Sequence, residues 1–571
     1  MTGASQLAPN DGQSRVRGPV DEPLLDQTIH GFFADSVKRH PDRDAVIFPN
    51  SGVRWSYRQF AKRVDRLAAG LLALGLYKSE RIGIWSPNRP EWLLAQFATA
   101  RIGLVLVNIN PAYRRAEVEY ALNKVEARAL ILAPSFKTSN YLEMLHDLAP
   151  ELESAVPGRL KAERLPNLRT VIQLGKDDQP GMFSFDQVMA RGGGGQRSRL
   201  EAISDALSPH QSINIQFTSG TTGAPKGATL SHYNIVNNAL FCARAMEFNA
   251  DDRLCIPVPL YHCFGMVVGV LSAVATGSAM IFPGEAFDAR ETLTALATER
   301  CTALHAVPTM FIAMLGLDDF DHYDLRSLRT GIMAGAPCPV DVMKRVVTDM
   351  HANQITIAYG MTETSPISFQ SSVDDPTTKR VSTVGRIHPH VEVKIIDQDG
   401  TITPVGVQGE LCTRGYSVMR GYWGDAEQTR ETIDDDGWLH SGDLATIDAE
   451  GYCNIVGRVK DMLIRGGENV YPAEIEEFLF RNNKVQSAQV FGIPDERYGE
   501  EVCAWIILQP GTKASEDEIK DFCQGQIAHF KIPRYVRFVD EMPMTVTGKP
   551  QKFKMRQTMM DELDIVESQT A

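Results

Sequence analysis

Residues 213–238 read INIQFTSGTTGAPKGATLSHYNIVNN and carry the densest set of groups able to handle phosphate. Ile213, Ile215 and Phe217 alternate with polar residues, the period-two pattern of a half-buried strand. Thr218, Ser219, Gly220, Thr221, Thr222 and Gly223 follow, then Lys226, and a helix is expected to open at Ser231. Glycines allow backbone amides to close around phosphate oxygens, hydroxyls donate further hydrogen bonds, and the lysine offsets charge. Such a loop suits a polyphosphate, although six small polar residues before a lysine also describe an ordinary connection. A Walker loop is excluded, because Pro225 precedes Lys226 and Gly227 follows it where GK[ST] would be required.

A second group able to do chemistry is Glu363, which follows Thr362 in a polar stretch. Its carboxylate is either a hard oxygen ligand suited to magnesium bridging phosphates or a plain surface charge. His262 lies in the apolar run PVPLYHCFG at 257–265, where a histidine by itself is usually a satisfied core residue.

The elements that must position these residues alternate between helix and strand. Ser56 caps a helix carrying Phe60, Val64, Leu67, Leu71 and Leu74 on one face, stopped by Gly75. Strands are predicted at RIGIWS (81–86), VLVNI (105–109), ALILA (129–133) and QITIAY (354–359), with helices from Glu91 and at Val340–Met350. This order implies a largely parallel, doubly covered sheet. The segment RGGGGQRSR at 191–199 reads as a mobile loop. From Val391 short strands with turn signals form a β-rich subdomain, and after Arg458 a smaller α+β unit follows. Its elements are a helix near 473–480, strands SAQVFGI and VCAWIIL, a helix near 516–526 and a strand at YVRFV.

With 571 residues, 43% hydrophobic and 23% charged, the chain is a folded protein of several domain-sized units. Its net charge of −13 speaks against a broad nucleic-acid footprint. The 9 cysteines never form a CxxC pair, which excludes a disulfide framework or zinc site as an organising feature. Residues 1–24 read as a flexible arm lacking the apolar stretch of a signal peptide, and a cytoplasmic location is expected. Phe264–Phe282 is uncharged, but its glycines and hydroxyl residues favour a buried helix, turn and strand over a membrane span.

These segments together resemble the adenylate-forming superfamily, which includes acyl-CoA synthetases, luciferases and peptide-synthetase adenylation domains. TSGTTGAPKG looks like its phosphate-binding signature, and YGMTE at 359–363, Gly442-Asp443, Gly457-Arg458, GGEN at 466–469 and Gly548-Lys549 follow in the family's order. RGGENVYPAEIE together with HFKIPR points to fatty-acyl-CoA synthetases of the short- to medium-chain type. The resemblance implies an α/β fold: a large N-terminal domain of layered sheets and helices at 25–459, with the β-rich subdomain, and a small mobile α+β domain at 460–571. It also implies ATP, Mg2+ and coenzyme A as reaction partners of a small carboxylic acid, with neither nucleic acid nor a membrane span involved. A homodimer is compatible with it.

By the same resemblance, Lys549 and Lys226 stabilise charge developing on phosphate, and Glu363 holds magnesium. Asp443 accepts the ribose hydroxyls, Arg458 contacts ribose or phosphate, Gly335, Ala336 and Tyr359 enclose the adenine, and Thr362 and Gly360 border the nucleotide. His262 stands beside the reacting carboxylate, while Phe264, Gly265 and Gly360 line the acyl pocket, with Gly360 leaving volume at its floor. Pro257 to Phe282 contains no Asp, Glu, Lys or Arg, so it offers no partner for an amino-acid ammonium or a second carboxylate. Gly466, Gly467 and Glu468 serve the thiol step, the double glycine favouring a narrow tunnel, and Lys460 is the hinge. Lys531 and Arg534 either meet the coenzyme's phosphates or form a solvated charge cluster. Two rivals are an adenylating enzyme that loads a carrier protein and a silent nucleotide- or acyl-binding sensor. Glu363 and Lys549 together argue against the sensor.

Overall fold

Two predominantly parallel sheets, rather than one, organise the N-terminal part of the computed structural model, which describes residues 7–9, 11–218, 225–336, 338–458, 461–465, 468–495, 498–524, 526–545 and 549–565. In the first sheet, Thr170–Gln173, Ala129–Leu132, Arg81–Trp85, Val105–Asn108 and Ser212–Thr218 run parallel. Lys226–Ser231 then adds antiparallel to Ser212–Thr218. In the second, Gln354–Gly360, Thr330–Ala334, Ala303–Ala306, Arg253–Cys255, Ala279–Ile281 and Asp44–Phe48 are all parallel neighbours.

The helices between the sheets bury the largest core. Ser56 caps Tyr57–Ala73 as expected, accepting from the Gln59 amide at 3.3 Å while the Gln59 side chain accepts from the Ser56 amide at 3.1 Å. Pro90–Ile102 is buried on every face, the mark of a helix enclosed on both sides. One continuous cluster joins Ile84 and Leu106 of the first sheet to Ile47, Leu304 and Ile332 of the second through Phe60, Leu67 and Phe97. A second cluster covers the outer face of the first sheet with Val118, Tyr141 and Leu145.

The β-rich subdomain is a five-stranded sheet of Arg15–Arg17, Val391–Ile396, Gly409–Gly415, Leu439–Ile447 and Cys453–Arg458. Its first strand, Arg15–Arg17, does not fit the reading of a flexible arm at that part of residues 1–24. Arg15–Arg17 pairs antiparallel with Glu392–Lys394, Val16 is buried, and the Ser14 hydroxyl donates to the Pro404 carbonyl at 2.8 Å. Three residues with one apolar side chain leave little periodicity to read, so this strand is set by its partner.

Residues 191–199 are likewise not a simple mobile loop. Phe185–Arg191 is helical, a turn of 3-10 helix spans Gly194–Gln196, and a helix runs through Arg197–Asp205. A Cβ on Gly192 would lie 2.0 Å from the Arg66 carbonyl oxygen, so this glycine permits close packing. The uncharged run resolves as expected into buried helix, turn and strand: Phe264–Leu271 as π-helix, Ser272–Thr276 as α-helix, then Ala279–Ile281.

The C-terminal unit has cores of its own. Leu463, Ile475, Val490, Ala504 and Ile519 form one, and Phe491, Trp505, Met555 and Met559 another. Its sheet pairs Val485–Asp495 with Gly499–Leu508, flanked by Leu463–Arg465 and Tyr535–Phe538.

Candidate active site

The strands on either side of residues 219–224 pair antiparallel, so a strand and not a helix follows them. Thr218 ends one strand directly opposite Lys226, which begins the next, and only after Ser231 does the helix His232–Ala245 start. Ser231 caps that helix as expected, accepting from the Asn234 amide at 3.2 Å. The helix N-terminus is therefore a strand's length from the loop, and anion binding there would depend on loop amides, hydroxyls and Lys226, not on a helix dipole. Gly227 and the small residues after it gave no strand signal, and sheet pairing supplies it. Ser219, Gly220, Thr221, Thr222 and Gly223 lie outside the described residues.

Glu363 is buried beside this pair of strands. The 3-10 turn Thr362–Thr364 follows the strand Gln354–Gly360 and places the carboxylate so that Oε1 accepts from the Thr218 hydroxyl at 3.1 Å and from the Tyr422 phenol at 3.0 Å. The Lys226 ammonium lies 5.4 Å from the Tyr422 ring centroid. Burial, and secondarily the Glu363 charge, push the Tyr422 phenol up, so it stays a donor. The surface-charge alternative for Glu363 is not met: its exposure is 6%.

A second cluster assembles where the β-rich subdomain meets the second sheet. The Tyr359 phenol donates to Asp443 Oδ2 at 2.5 Å, and Arg458 Nε reaches Asp443 Oδ1 at 2.9 Å. Burial first and Asp443 second hold the Tyr359 phenol well above its usual range. Asp443 follows Gly442, whose φ of +68° suits glycine, and the Gly442 amide donates to Glu410 Oε1 at 3.0 Å. Glu410 Oε2 in turn meets His440 Nδ1 at 3.2 Å. Cys412 first and then Glu410 raise the His440 imidazole to about 10, so a cation anchors the turn that presents Asp443. Gly335, with φ of +91°, and Ala336 follow the strand Thr330–Ala334, which runs beside the strand of Tyr359.

On the apolar side, the Phe264 amide donates to His262 Nδ1 at 3.1 Å, fixing the ring next to the start of the π-helix. Burial, and then the Lys549 charge, lower His262 to about 3, so it is neutral at physiological pH. The Cys263 thiol lies 3.8 Å from His262 Nδ1 and 3.7 Å from the Thr362 hydroxyl, and burial pushes this thiol up to about 12. Phe264 is buried, and a Cβ on Gly265 would lie 2.3 Å from the Pro259 carbonyl oxygen.

Gly360 does not leave free volume at a pocket floor. A Cβ there would lie 1.9 Å from the Pro366 carbonyl oxygen and 2.9 Å from the Ile367 Cα. The strand Gln354–Gly360 shifts register against Ile367–Gln370 between Tyr359 and Gly360, and the missing side chain is what lets the two backbones approach. Sequence alone gives no hint of which atoms a glycine's absent side chain would strike.

Lys549 joins this cluster from the C-terminal unit. The Thr545 amide donates to the Lys549 carbonyl at 2.7 Å and the Lys549 amide to the Thr545 hydroxyl at 2.9 Å. The charges of Arg458, Asp443 and Glu363 all act on the Lys549 ammonium. Crowding by protein, then Arg458, lower its pKa; the residue keeps exposed surface, so water screens both effects. Lys460, Gly466 and Gly467 lie outside the described residues. Glu468 starts the strand Glu468–Val470, whose register places it opposite Arg465. Lys531 pairs with Glu474, and Arg534 with Glu501 at 3.2 Å and Asp495 at 3.3 Å, so both are engaged within their own unit.

Sequence reasoning missed Tyr422, Glu410, His440 and Cys263. Tyr422 gave no signal, since its two-residue strand pairs with Thr229 and Ala228 from far along the chain. Glu410 and Cys412 sit two apart on a predicted strand, so their common face was available to read.

The family described as AMP-binding enzyme matches residues 33–423, and the AMP-binding enzyme C-terminal domain matches 474–549. A Bacillus subtilis (strain 168) protein bearing the name acyl-CoA synthetase YngI is 48% identical over 548 residues, covering 96% of this chain and 100% of that protein. A protein named medium-chain acyl-CoA ligase ACSF2, mitochondrial, from Danio rerio is 47% identical over 555 residues, covering 97% of this chain and 91% of its own. Among solved structures, the anthranilate CoA ligase AuaEII in complex with anthranoyl-AMP superimposes with a TM-score of 0.81 at 27% identity, covering 94% of this chain and 98% of that one. ATP-bound MatB from Rhodopseudomonas palustris gives 0.78 at 29%, covering 94% and 100%. The strand pair Ser212–Thr218 and Lys226–Ser231 beside Glu363, the cluster around Asp443, and Lys549 from the C-terminal unit thus stand in a chain that belongs to the AMP-binding enzyme family.

Proposed function

We propose that this AMP-forming acid–CoA ligase acts on medium-length fatty acids or branched and aryl acids of similar size, through an acyl-adenylate intermediate. What supports the reading is that the charges of Arg458, Asp443 and Glu363 act on the Lys549 ammonium, a cation from the C-terminal unit among the groups expected around a nucleotide's phosphates. Relatives named medium-chain acyl-CoA ligase support the size of the acid.

A carboxylate oxygen attacks the α-phosphorus of ATP and pyrophosphate leaves. The thiol of coenzyme A then attacks the acyl carbonyl, loses its proton, and AMP leaves. Lys549 and Lys226 offset charge on phosphate oxygens as the first step proceeds. Glu363, already oriented by Thr218 and Tyr422, is the residue that would hold Mg2+, which when bound neutralises phosphate charge. Asp443 takes the ribose hydroxyls, and Tyr359, Gly335 and Ala336 border the adenine. Neutral His262 stands beside the acid's carboxylate without adding a competing cation.

The division of the chain at 459/460, rotation about Lys460, and a thiol path past Gly466 and Gly467 belong to the same proposal. So does a cytoplasmic location. Among the described residues no helix is long and apolar enough to cross a membrane.

The test is CoA-dependent AMP release across straight-chain acids of two to sixteen carbons. Each methylene that fits adds roughly 0.8 kcal/mol, so kcat/KM should climb from butyrate to a medium-length optimum and then fall. An optimum at acetate would contradict the proposal.

A further inference from the structure

His305 is a buried imidazole that the reaction described above does not use. It lies on the strand Ala303–Ala306, is 0% exposed, and neither Nδ1 nor Nε2 has a hydrogen-bond partner among the described residues. The ring is near-parallel to Phe248, at 6.0 Å between centroids and 9° between planes, and to Phe264, at 5.8 Å and 22°. Phe264 is the residue whose amide donates to His262 Nδ1, so His305 is one ring contact removed from His262.

Depth follows from sheet register. His305 pairs with Ile332, three residues before Gly335 at the nucleotide end of the neighbouring strand. At about 3.3 Å per residue, this sets His305 about 10 Å below that end, the depth a medium-length chain spans. The other wall here is the π-helix Phe264–Leu271, a helix form that concentrates at functional sites.

A neutral imidazole carries one N–H donor and one lone-pair acceptor, and leaving either unmet in an apolar site is costly. Burial lowers the ring to about 4, and the backbone oxygens of Leu304 and Val268, which face it outside hydrogen-bond geometry, only partly oppose this. The surroundings therefore offer acceptors to the ring but no donor. A plain alkyl chain would leave that lone pair unmet, whereas a hydroxyl can donate to it.

We propose that His305 is a specificity-determining residue deep in the acyl pocket, and that the acid it selects carries a hydroxyl group towards the far end of a medium-length chain. This rests on the acid–CoA ligase reading above and names its substrate class more finely. A keto oxygen at the same carbon, which cannot donate, does not replace the hydroxyl.

The experiment moves a hydroxyl along successive carbons of octanoate and measures kcat/KM for CoA-dependent AMP release by the full chain, with octanoate and the matching keto acids alongside. One hydroxyl position should exceed octanoate and its keto analogue by about tenfold. His305→Phe, which keeps the stack with Phe248 and Phe264, should abolish that advantage while octanoate turnover is kept or raised. A profile in which no hydroxy acid exceeds octanoate in the wild-type protein overturns the proposal without reference to any variant. So does a folded His305→Phe protein, checked by its melting temperature, that loses activity equally towards both acids, because a structural role alone predicts that result. If plain acids turn over and the hydroxyl profile is flat, only this inference fails; if no acid releases AMP, the ligase reading fails with it.

Discussion

The Thr218 hydroxyl donates to Glu363 Oε1 at 3.1 Å, tying the end of the strand Ser212–Thr218 to the carboxylate proposed to hold magnesium. Thr218 ends a strand of the first sheet and Glu363 sits in the turn that follows a strand of the second, so the bond links the two sheets at this point. Glu363→Gln keeps the shape and removes the charge, and kcat for adenylate formation should fall on the order of a hundredfold, with higher magnesium required. Tyr422→Phe removes one of two neutral hydrogen bonds to Oε1 and should cost less than about tenfold. Pyrophosphate release measured against magnesium concentration checks both, and a Glu363→Gln enzyme of normal activity and normal magnesium dependence would remove Glu363 from the site.

Asp443 is held by Tyr359 and Arg458, and its backbone turn by Glu410 through Gly442. Asp443→Ala should raise KM for ATP by roughly ten- to a hundredfold, since charge-assisted hydrogen bonds to a ribose are lost. Glu410→Gln should raise it by less than about tenfold, through misplacement of the turn only. Nucleotide titration at saturating acid measures both. Equal KM values in wild type and Asp443→Ala would show that ribose binds elsewhere.

Gly360→Ala tests the close approach of two backbones. The added methyl would strike the Pro366 carbonyl, a group that cannot rotate away, so destabilisation of about 3 kcal/mol or failure to fold is expected. Urea unfolding of the variant provides the measurement. A stable Gly360→Ala protein with altered chain-length preference would restore the reading of Gly360 as open pocket floor.

Stability should fall in mild acid. His232, His305 and His388 are buried, with pKa values lowered to about 3, 4 and 3, chiefly by burial. Their unfolded-state value is higher, near 6.5, so the unfolded chain binds more protons below that pH and stability decreases as pH drops from 6.5 towards 4. At pH 5.5 each group costs about 1.4 kcal/mol, roughly 4 kcal/mol for the three as an upper bound. Falling net negative charge opposes this, but acts over longer distances and is screened. Urea midpoints at pH 7 and pH 5.5 give the comparison, and a midpoint that is unchanged or higher at pH 5.5 would contradict it.

Much of this architecture was legible because its elements carry their own signals. Ser56 with Gln59, Leu67 and Leu71 announces a capped amphipathic helix, and Ile82 and Ile84 announce a strand, whatever surrounds them. Elements made by their partners were not legible: Lys226–Ser231 and Arg15–Arg17 have too few apolar residues to mark a strand until a neighbour pairs with them. In the candidate site, Glu363, Asp443 and Lys549 are marked by ordered motifs, while Tyr422 and Glu410 reach it through contacts distant in sequence. Gly360 was read as empty space because an absent side chain does not reveal which backbone requires its absence.

In the proposed reaction Lys549 crosses from the C-terminal unit to complete the adenylation site, and comparing the two half-reactions checks this role. In Lys549→Ala, acid-dependent pyrophosphate release should drop by a hundredfold or more, on the order of what a lost charge-stabilising group costs. Thioester formation from preformed acyl adenylate and coenzyme A should stay within about threefold of wild type, because the α-phosphate charge that needs Lys549 is not being built in that step. Equal loss of both half-reactions, or normal pyrophosphate release, would contradict the claim.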